Sequence, residues 1–103
     1  MKNLYYIGIS QGKMASIDLT PYDKGWMITR IFVPEEGRGQ GFDSQVLNLV
    51  LEDADAEGAI LYLEVHPYGC VEHQQLEAWY RQHGFQRWKG LFRRRPDYKK
   101  RIR

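Results

Sequence analysis

The apolar residues of this chain repeat with two different periods, and the change from one period to the other restricts the folds that the sequence can adopt. Toward the amino terminus they recur at every second position, as in Ala15, Ile17 and Leu19, which is typical of a half-buried β-strand. After residue 45 they recur at every third or fourth position, as in Val46 and Val50, which is typical of a helix. At 103 residues the chain is long enough for one domain, so strands and helices must share one core.

Turn residues divide the chain into eight predicted elements in the order βββαβαββ. Strands are predicted over residues 4–9, 15–20, 26–33, 59–65, 85–88 and 91–94, and helices over regions that include residues 46–54 and 71–83. The strand-helix-strand unit in the middle requires a right-handed crossover and a parallel strand pair, whereas the flanking hairpins are antiparallel. We therefore predict an α/β (α+β) fold, in which two main helices pack on a mixed, mostly antiparallel sheet with a central parallel pair.

The composition favours a cytoplasmic protein with no membrane partner. No apolar run approaches the roughly 20 residues of a membrane-spanning helix, and residues 1–3 do not lead into a signal-peptide core. Cys70 is the single cysteine, so it forms no internal disulfide, and no motif links it to a base. His73 and His83 lack the spacing of a metal-binding pair, and we predict no metal site.

The charge of the chain is unevenly distributed. The segment 93–103, which begins at Arg93 and ends at Arg103, holds seven basic residues and one acidic residue, whereas the rest of the chain holds eight basic and 12 acidic residues. Such a basic segment suggests an acidic partner, either nucleic acid or an acidic protein face, or it is a solvated chain end. We predict a domain over residues 1–95 and a basic tail over residues 96–103.

The segment between the third predicted strand and the first helix is rich in glycine. Residues 34–41 contain three glycines, and such a junction lets the backbone turn tightly and expose successive amide groups. The amino terminus of the following helix adds a positive partial charge, which favours a bound phosphate. A strand-to-helix turn without a ligand has a similar composition, so the neighbouring sequence must decide between the two interpretations.

Two motifs resemble those of the GNAT superfamily of N-acetyltransferases. Arg38-Gly39-Gln40-Gly41, after an apolar strand and before a helix, is similar to the coenzyme A signature of that family. The segment 79–85, Trp-Tyr-Arg-Gln-His-Gly-Phe, is similar to the Leu-Tyr-x-x-x-Gly-Phe that closes the later helix of the family. The resemblance covers residues 26–94 and implies acetyl-CoA as the cofactor, with the central parallel strands splayed to hold its thioester.

The resemblance implies a cofactor site along the third strand and the glycine-rich turn. The strand edge at Ile31, Phe32 and Val33 would pair with the pantetheine arm, and backbone amides would hold the pyrophosphate. Those amides belong to Arg38, Gly39, Gln40, Gly41, Phe42, Asp43 and Ser44. Asp43 stands where the family usually has Gly or Ala, so its carboxylate either caps the helix or repels the phosphate. His73 stands near the position of an asparagine that contacts the pantetheine arm in many members.

The resemblance also implies the catalytic groups. Tyr80 would act as general acid, because a phenol with a pKa of about 10 stays protonated at neutral pH and can protonate a leaving thiolate. A backbone amide near Val33 would stabilise the oxyanion. Glu64 or His66, which share a strand face, would act as base or hold a water. Each side chain also has a structural interpretation, in which Tyr80 packs in the core, Glu64 pairs with a cation and His66 caps a turn.

These observations predict an N-acetyltransferase that uses acetyl-CoA and transfers its acetyl group to a primary amine by direct attack. The chain leaves no room before Lys2 for the first strand and paired helices that wall the acceptor site in larger members. An open site favours an amine on a macromolecule, either a protein lysine or an amino terminus, and short members of this kind are often encoded by phages. The protein is a monomer or a homodimer, whose partner would supply the missing wall.

Two other functions remain open from the sequence. The first is a catalytically inactive binding protein that keeps the fold and uses the basic segment 93–103 on nucleic acid or a host protein. The second is a regulator that senses acetyl-CoA without turnover. Binding of acetyl-CoA separates the first from the other two functions, and turnover separates the enzyme from the sensor.

Overall fold

The computed structural model of the chain describes residues 1, 3–10, 12–32, 42–64 and 73–97, and six strands and two helices form in this part. The strands are β1 (Tyr5–Ser10), β2 (Lys13–Tyr22), β3 (Gly25–Phe32), β4 (Leu61–Leu63), β5 (Gln86–Trp88) and β6 (Leu91–Arg94). The helices are α1 (Phe42–Glu57), between β3 and β4, and α2 (His73–Gln82), between β4 and β5. The predicted order βββαβαββ is confirmed.

The described strands form one mixed sheet in the order β1-β2-β3-β4-β6-β5. β3 and β4 are parallel, and every other neighbouring pair is antiparallel. The parallel pair is the one connected through α1, because two adjacent strands that run in the same direction need a crossover between them. The prediction of a mostly antiparallel sheet with a central parallel pair is therefore confirmed.

Both helices contribute to a core on one face of the sheet. α1 supplies the apolar stripe predicted from its sequence, and α2 supplies Leu76 and Tyr80. The sheet supplies alternate residues, because successive side chains of a strand point to opposite faces. The buried residues of this core include Tyr6, Ala15, Ile17, Leu19, Ile28, Val46, Leu47, Val50, Leu51, Ala54, Leu61, Leu63, Phe85 and Phe92. The two periods in the sequence thus describe two surfaces that pack against each other.

A glycine with a left-handed backbone conformation follows each helix, as predicted. Gly58 and Gly84 have φ angles of 70° and 95°, in the left-handed region that glycine adopts without steric cost. After Gly58 the chain turns back on α1, so that the backbone N–H of Ala59 donates to the carbonyl of Ala54 at 2.8 Å. Neither described helix is long and apolar enough to cross a membrane.

The opposite face of the sheet is exposed at its β1 end. The side chains of Tyr5, Ile7 and Ile9 are 50%, 44% and 73% exposed, because they alternate with Tyr6, which faces α1. Met14 of β2 lies in register with Ile9 and is also exposed. Among the described elements no helix covers this face, which we call the outer face.

The outer face carries an aromatic cluster at its other end. Tyr62 of β4 is buried, and its ring contacts the rings of Tyr22 and Trp88 at centroid distances of 5.0 and 5.3 Å. The Tyr62 hydroxyl donates to Asp23 Oδ2 at 3.0 Å, in the turn between β2 and β3. Burial, together with the hydrogen bond to this carboxylate and its charge, raises the pKa of Tyr62 above its ordinary value.

β4 is shorter than the strand predicted over residues 59–65. It comprises Leu61–Leu63, although the carbonyl of Ile60 already accepts the N–H of Trp26 at 2.9 Å. Gly25, at the start of β3, lies so close to the Ile60 carbonyl that a Cβ at this position would collide with it. The two parallel strands thus approach each other most closely at their amino ends.

A buried ion pair connects α1 to β6. Arg94 Nη1 and Nη2 donate to Asp55 Oδ1 and Oδ2 at 2.8 and 3.0 Å, which is the bidentate geometry of strong charge-assisted hydrogen bonds. Arg94 Nε donates to the carbonyl of His83, just after α2, and the backbone N–H of Asp97 donates to Asp55 Oδ1 at 2.7 Å. One arginine of the segment 93–103 is therefore part of the folded core.

Candidate active site

The carboxyl ends of the parallel strands lie at one edge of the sheet. β3 is followed by residues 33–41 and then by α1, and β4 is followed by Glu64, residues 65–72 and then α2. Because β3 and β4 run in the same direction, both connections leave from the same edge. Open sheets with parallel strands bind ligands at this edge. We therefore treat it as the candidate active site.

The pairing of β3 with β4 stops before β3 ends. The paired residues are Trp26 with Leu61, Met27 with Tyr62, and Ile28 with Leu63. β3 continues through residues 29–32, where β2 is its partner on one side and no described strand pairs on the other. This arrangement agrees with the predicted splay of the two parallel strands. It leaves backbone N–H and C=O groups at a strand edge, where an extended ligand can reach them.

Two of the predicted pantetheine-binding residues, Ile31 and Phe32, lie on this segment of β3. Ile31 is in register with Ile17 of β2, and its half-buried side chain packs against the core. Phe32 is in register with Ser16, which is buried. β2 and the core thus hold this part of β3 in place. The predicted site residues outside the described part of the chain are Val33, Arg38, Gly39, Gln40, Gly41 and His66.

The first turn of α1 lies directly after the glycine-rich segment. Phe42, Asp43 and Ser44 begin this helix of 16 residues. The first amide groups of a helix have no partner within it, and the helix dipole places a positive partial charge there. The structure therefore places a helix amino terminus where the sequence predicts the pyrophosphate, and the binding role of these residues stays a prediction.

A side-chain hydrogen bond connects the two helices at the site. Trp79 Nε1 donates to Ser44 Oγ at 3.2 Å, so α2 is connected to the first turn of α1. The Trp79 ring also contacts the rings of Tyr80 and His83, each at a centroid distance of 4.9 Å. The sequence does not predict this contact. Trp79 belongs to the second motif and Ser44 follows the first, but no spacing in the sequence relates positions that lie 35 residues apart.

Tyr80, the predicted general acid, is buried in the core. Its side chain is 4% exposed, and its ring contacts Trp79 and Phe85. The Tyr80 ring therefore packs in the core, as one of the two interpretations of this residue predicts. A ring held by two aromatic neighbours also keeps its hydroxyl in a fixed position, and the acid role stays a prediction.

The candidate bases are partly within the described chain. Glu64 directly follows β4, at the carboxyl edge of the sheet, and is exposed. His73 is the first residue of α2, so it lies at the end of the connection that leaves the carboxyl end of β4. No group of three or more His, Cys, Asp or Glu side chains that could hold a metal ion occurs in residues 1, 3–10, 12–32, 42–64 and 73–97.

Two tyrosines with altered ionisation lie away from this edge. Burial raises the pKa of Tyr6, and so does the carboxylate of Asp53 near the end of α1, to whose Oδ2 the Tyr6 hydroxyl donates a hydrogen bond at 2.6 Å. Tyr62 contacts Asp23, just before the amino end of β3. Both hydroxyls thus connect elements at a distance from the first turn of α1, and we assign neither to catalysis.

Solved structures with low sequence identity share this fold. The crystal structure of the anti-CRISPR protein AcrVA5 matches with a TM-score of 0.65, at 18% identity over 86% of this chain and 96% of that chain. A protein from Desulfovibrio desulfuricans assigned to the GNAT family of acetyltransferases matches with a TM-score of 0.63, at 16% identity over 88% of this chain and 68% of that chain. No family model and no curated protein matches the sequence. The chain has a GNAT-like fold, which confirms the resemblance drawn from its two motifs.

Proposed function

We propose that the protein is an N-acetyltransferase that uses acetyl-CoA. The observation that carries this proposal is the edge of β3 over residues 29–32, which no described strand covers on the side of β4. An extended arm that contains amide groups, such as pantetheine, can pair with such an edge as an additional strand. The amino terminus of α1 beside it favours a diphosphate, and the GNAT-like fold supports the same assignment.

The residues that would hold the cofactor follow the order of its parts. Ile31, Phe32 and Val33 would pair with the pantetheine arm, and His73 would lie beside it. The backbone amides of residues 38–44 would hold the pyrophosphate. Asp43 has two possible effects there, because its carboxylate caps the helix or repels the phosphate. Acetyl-CoA supplies the acetyl group as a thioester, which an amine can attack.

The proposed transfer needs a base, an oxyanion donor and an acid. The amine nitrogen forms a bond to the acetyl carbon, and the bond from that carbon to sulfur breaks. Glu64 or His66 takes the proton that the amine releases, directly or through a water, and Tyr80 donates a proton to the departing sulfur. A backbone amide near Val33 stabilises the oxyanion. No bond forms between the acetyl group and the protein.

We propose that the acceptor amine belongs to a protein, as a lysine side chain or an amino terminus. The outer face exposes Tyr5, Ile7 and Ile9, and no described helix covers it. A protein surface can cover such a face, whereas a small molecule needs a more enclosed pocket. The similarity to an anti-CRISPR protein over 96% of that chain also favours a macromolecular target.

A thermal-shift measurement with acetyl-CoA tests the proposed function. A ligand at about 100 times its Kd stabilises a protein by about 2.7 kcal/mol, which for this size raises Tm by roughly 10 °C or more. ATP at the same concentration is the control, because it carries phosphates without pantetheine. A Tm that millimolar acetyl-CoA leaves unchanged would contradict both the enzyme and the sensor.

The substitution Tyr80→Phe tests the catalytic step, since it keeps the buried ring and removes the hydroxyl. We expect an unchanged Tm shift with acetyl-CoA and a turnover reduced about 10²- to 10⁴-fold, measured as thiol release with a lysine-rich protein acceptor. Tyr62→Phe, at a second buried tyrosine that has no assigned catalytic role, is the matched control. Unchanged turnover in Tyr80→Phe would show that another group donates the proton. Acetyl-CoA binding without turnover in the unaltered protein would favour the sensor.

A further inference from the structure

A cationic cavity lies beside the β5–β6 hairpin. It has a volume of about 380 Å³ and is lined by Gly84, Gln86, Arg87, Arg93 and Arg95. Arg94, between two of these arginines, is in register with Leu61 at the amino end of β4. The candidate active site lies at the carboxyl end of β4, so the cavity is at the opposite end of that strand. None of its lining residues belongs to the proposed acetyl-transfer site.

Two of the three arginines have no counter-ion among the described residues. Arg87 Nη2 contacts Glu77 Oε1 at 2.6 Å, so its charge is paired. Across the described stretches of the chain neither Arg93 nor Arg95 forms an ion pair. Two guanidinium groups without counter-ions beside one cavity repel each other, and an anion placed between them removes that repulsion. Guanidinium groups also match the geometry of phosphate oxygens.

Aromatic rings hold the cations at the rim. The guanidinium carbon of Arg93 and the ammonium of Lys89 each lie 4.9 Å from the centroid of the Trp88 ring. The guanidinium carbon of Arg87 lies 5.4 Å from the centroid of Phe92. Contacts of this kind restrict long side chains, so less conformational entropy is lost when an anion binds.

The size and composition of the cavity favour a nucleotide over an acidic side chain. Ligand cavities are commonly about 300–1,000 Å³, and a volume of about 380 Å³ lies at the lower end of that range. The Trp88 ring that contacts Arg93 belongs to the aromatic cluster of the outer face, in which Tyr22 is 39% exposed. Exposed rings of this kind can stack with bases. A concave cavity accepts an unstacked nucleotide, whereas a duplex presents its phosphates on a convex surface. These features together point to a single strand.

We propose that this cavity binds the phosphate backbone of a single-stranded nucleic acid. Arg93 and Arg95 contact phosphate oxygens, and the amide of Gln86 supplies a further hydrogen bond. The sequence also contains four basic residues in the segment 98–103, which add to the positive charge that attracts a polyanion. The proposal is independent of acetyl transfer, because the two sites share no residue.

Fluorescence anisotropy with a labelled oligothymidylate of about 20 nucleotides tests the proposal. We expect Arg93→Gln and Arg95→Gln each to weaken binding about tenfold and to reduce the slope of log affinity against log salt by about 0.7. Lys24→Gln is the matched control, since it removes the charge of an exposed lysine in the turn between β2 and β3, outside both sites. If all three variants bind equally, the cavity is not the site. The Tm of each variant and its shift with acetyl-CoA should match those of the unaltered protein, so that failure of this proposal and failure of the transferase are distinguishable.

Competition and truncation complete the test. The labelled strand is displaced with unlabelled oligothymidylate, with polyglutamate and with a DNA duplex. Polyglutamate that competes as effectively as oligothymidylate would overturn the proposal in favour of an acidic protein partner. A duplex that competes as effectively would overturn the preference for a single strand. Truncation after Asp97 removes residues 98–103 and keeps the hydrogen bond from the Asp97 N–H to Asp55. We expect this truncated protein to retain binding that still depends on Arg93 and Arg95. Complete loss of binding on truncation would show that residues 98–103 carry it.

Discussion

Three consecutive arginines have different environments because a strand alternates its faces. Arg94 and Asp55 are 6% and 1% exposed, whereas Arg93 is half-buried and Arg95 is exposed. A charge loses its hydration when it is buried, so it is tolerated when other groups replace that hydration. Asp55 and the carbonyl of His83 together accept hydrogen bonds from all three nitrogens of the Arg94 guanidinium. Each nitrogen of the buried guanidinium thus donates at least one hydrogen bond.

We expect Asp55→Asn to destabilise the protein strongly. The substitution keeps the size of the side chain but leaves Arg94 as a buried cation without a counter-ion, which costs about 3–5 kcal/mol in comparable cases. Urea unfolding measures this loss as a change in midpoint at constant slope. Glu52→Gln removes an exposed carboxylate from the same helix and should change the free energy of unfolding by less than about 0.5 kcal/mol. Equal effects of the two substitutions would contradict the structural role of the pair.

The periodicity of the sequence predicts that Asp55 and Arg94 face the core, although their charges suggest exposed residues. Asp55 lies four residues after Leu51 and therefore falls on the apolar stripe of α1, and Arg94 lies two residues after Phe92 and therefore shares its face of β6. Charged residues are rarely buried, so the composition of the segment 93–103 predicts a uniformly solvated, basic surface. Periodicity identifies the inward positions, but the partner of each depends on packing between residues 39 apart.

At the scale of elements, the sequence predicts best where the period is regular. The stripe of α1, the glycines after both helices and the closing hairpin are confirmed because each depends on local geometry. The length of β4 is not local, since β3 pairs with it as far as Ile28 and then leaves it. The orientation of β1 is not local either, because Tyr5, Ile7 and Ile9 are as apolar as the residues between them. The hydrogen bond from Tyr6 to Asp53 of α1 contributes to the choice of face.

The contact between α2 and α1 predicts that Trp79 is a positioning residue for the proposed cofactor site. Trp79→Phe keeps an aromatic ring and removes the N–H that donates to Ser44 Oγ. Loss of one hydrogen bond of about 1 kcal/mol corresponds to roughly fivefold weaker acetyl-CoA binding if this contact orients the first turn of α1. We expect the effect in the KM for acetyl-CoA and not in kcat.

A double-mutant cycle distinguishes this role from general destabilisation. Trp79→Phe and Ser44→Ala should be less than additive in their effects on acetyl-CoA affinity, because the two side chains share one hydrogen bond. Thermal unfolding of each variant supplies the stability control. Additive effects on affinity, or a loss of kcat alone, would show that the contact does not position the cofactor site.

At the scale of the whole molecule, topology is more predictable than the site that it creates. A strand-helix-strand unit between hairpins permits few arrangements, and two motifs with a fixed order reduce them further. The same topology predicts that Glu64, Ser44 and α2 meet at one edge. The turn of the closing hairpin places Gln86 opposite Arg93 across β5 and β6. The cationic cavity itself was not predictable, because it also depends on how Gly84 and Arg95, outside those strands, pack around this pair.

The two tyrosines with raised pKa make the stability of the molecule depend on alkaline pH. In the unfolded chain both phenols ionise at about pH 10, whereas the fold keeps Tyr6 and Tyr62 neutral to higher pH. The unfolded state therefore loses protons first, and the stability that is complete below about pH 10 declines as pH rises through the folded-state pKa values. The maximal slope corresponds to about two protons per molecule.

Thermal unfolding between about pH 8 and pH 11 measures this dependence. We expect the double variant with Tyr6→Phe and Tyr62→Phe to lose less stability across this range than the unaltered protein does. Tyr5→Phe, whose side chain is half-exposed on β1, is the matched control and should follow the unaltered protein. If the double variant declined as steeply as the control, groups other than these two phenols would be responsible.

The alternation along residues 93–95 matters for anyone who probes this molecule by exchanging whole runs of arginine. Replacement of all three residues would remove the ion pair of Arg94 with α1 together with the charges of Arg93 and Arg95. The resulting protein would be destabilised, and its loss of binding would be mistaken for a loss of recognition. Such an experiment would attribute to Arg93 and Arg95 an effect that the loss of Arg94 causes. Substitution of Arg93 and Arg95 with Arg94 left intact tests binding without removing the ion pair. The alternation of buried and less buried residues along β6 makes this experiment possible.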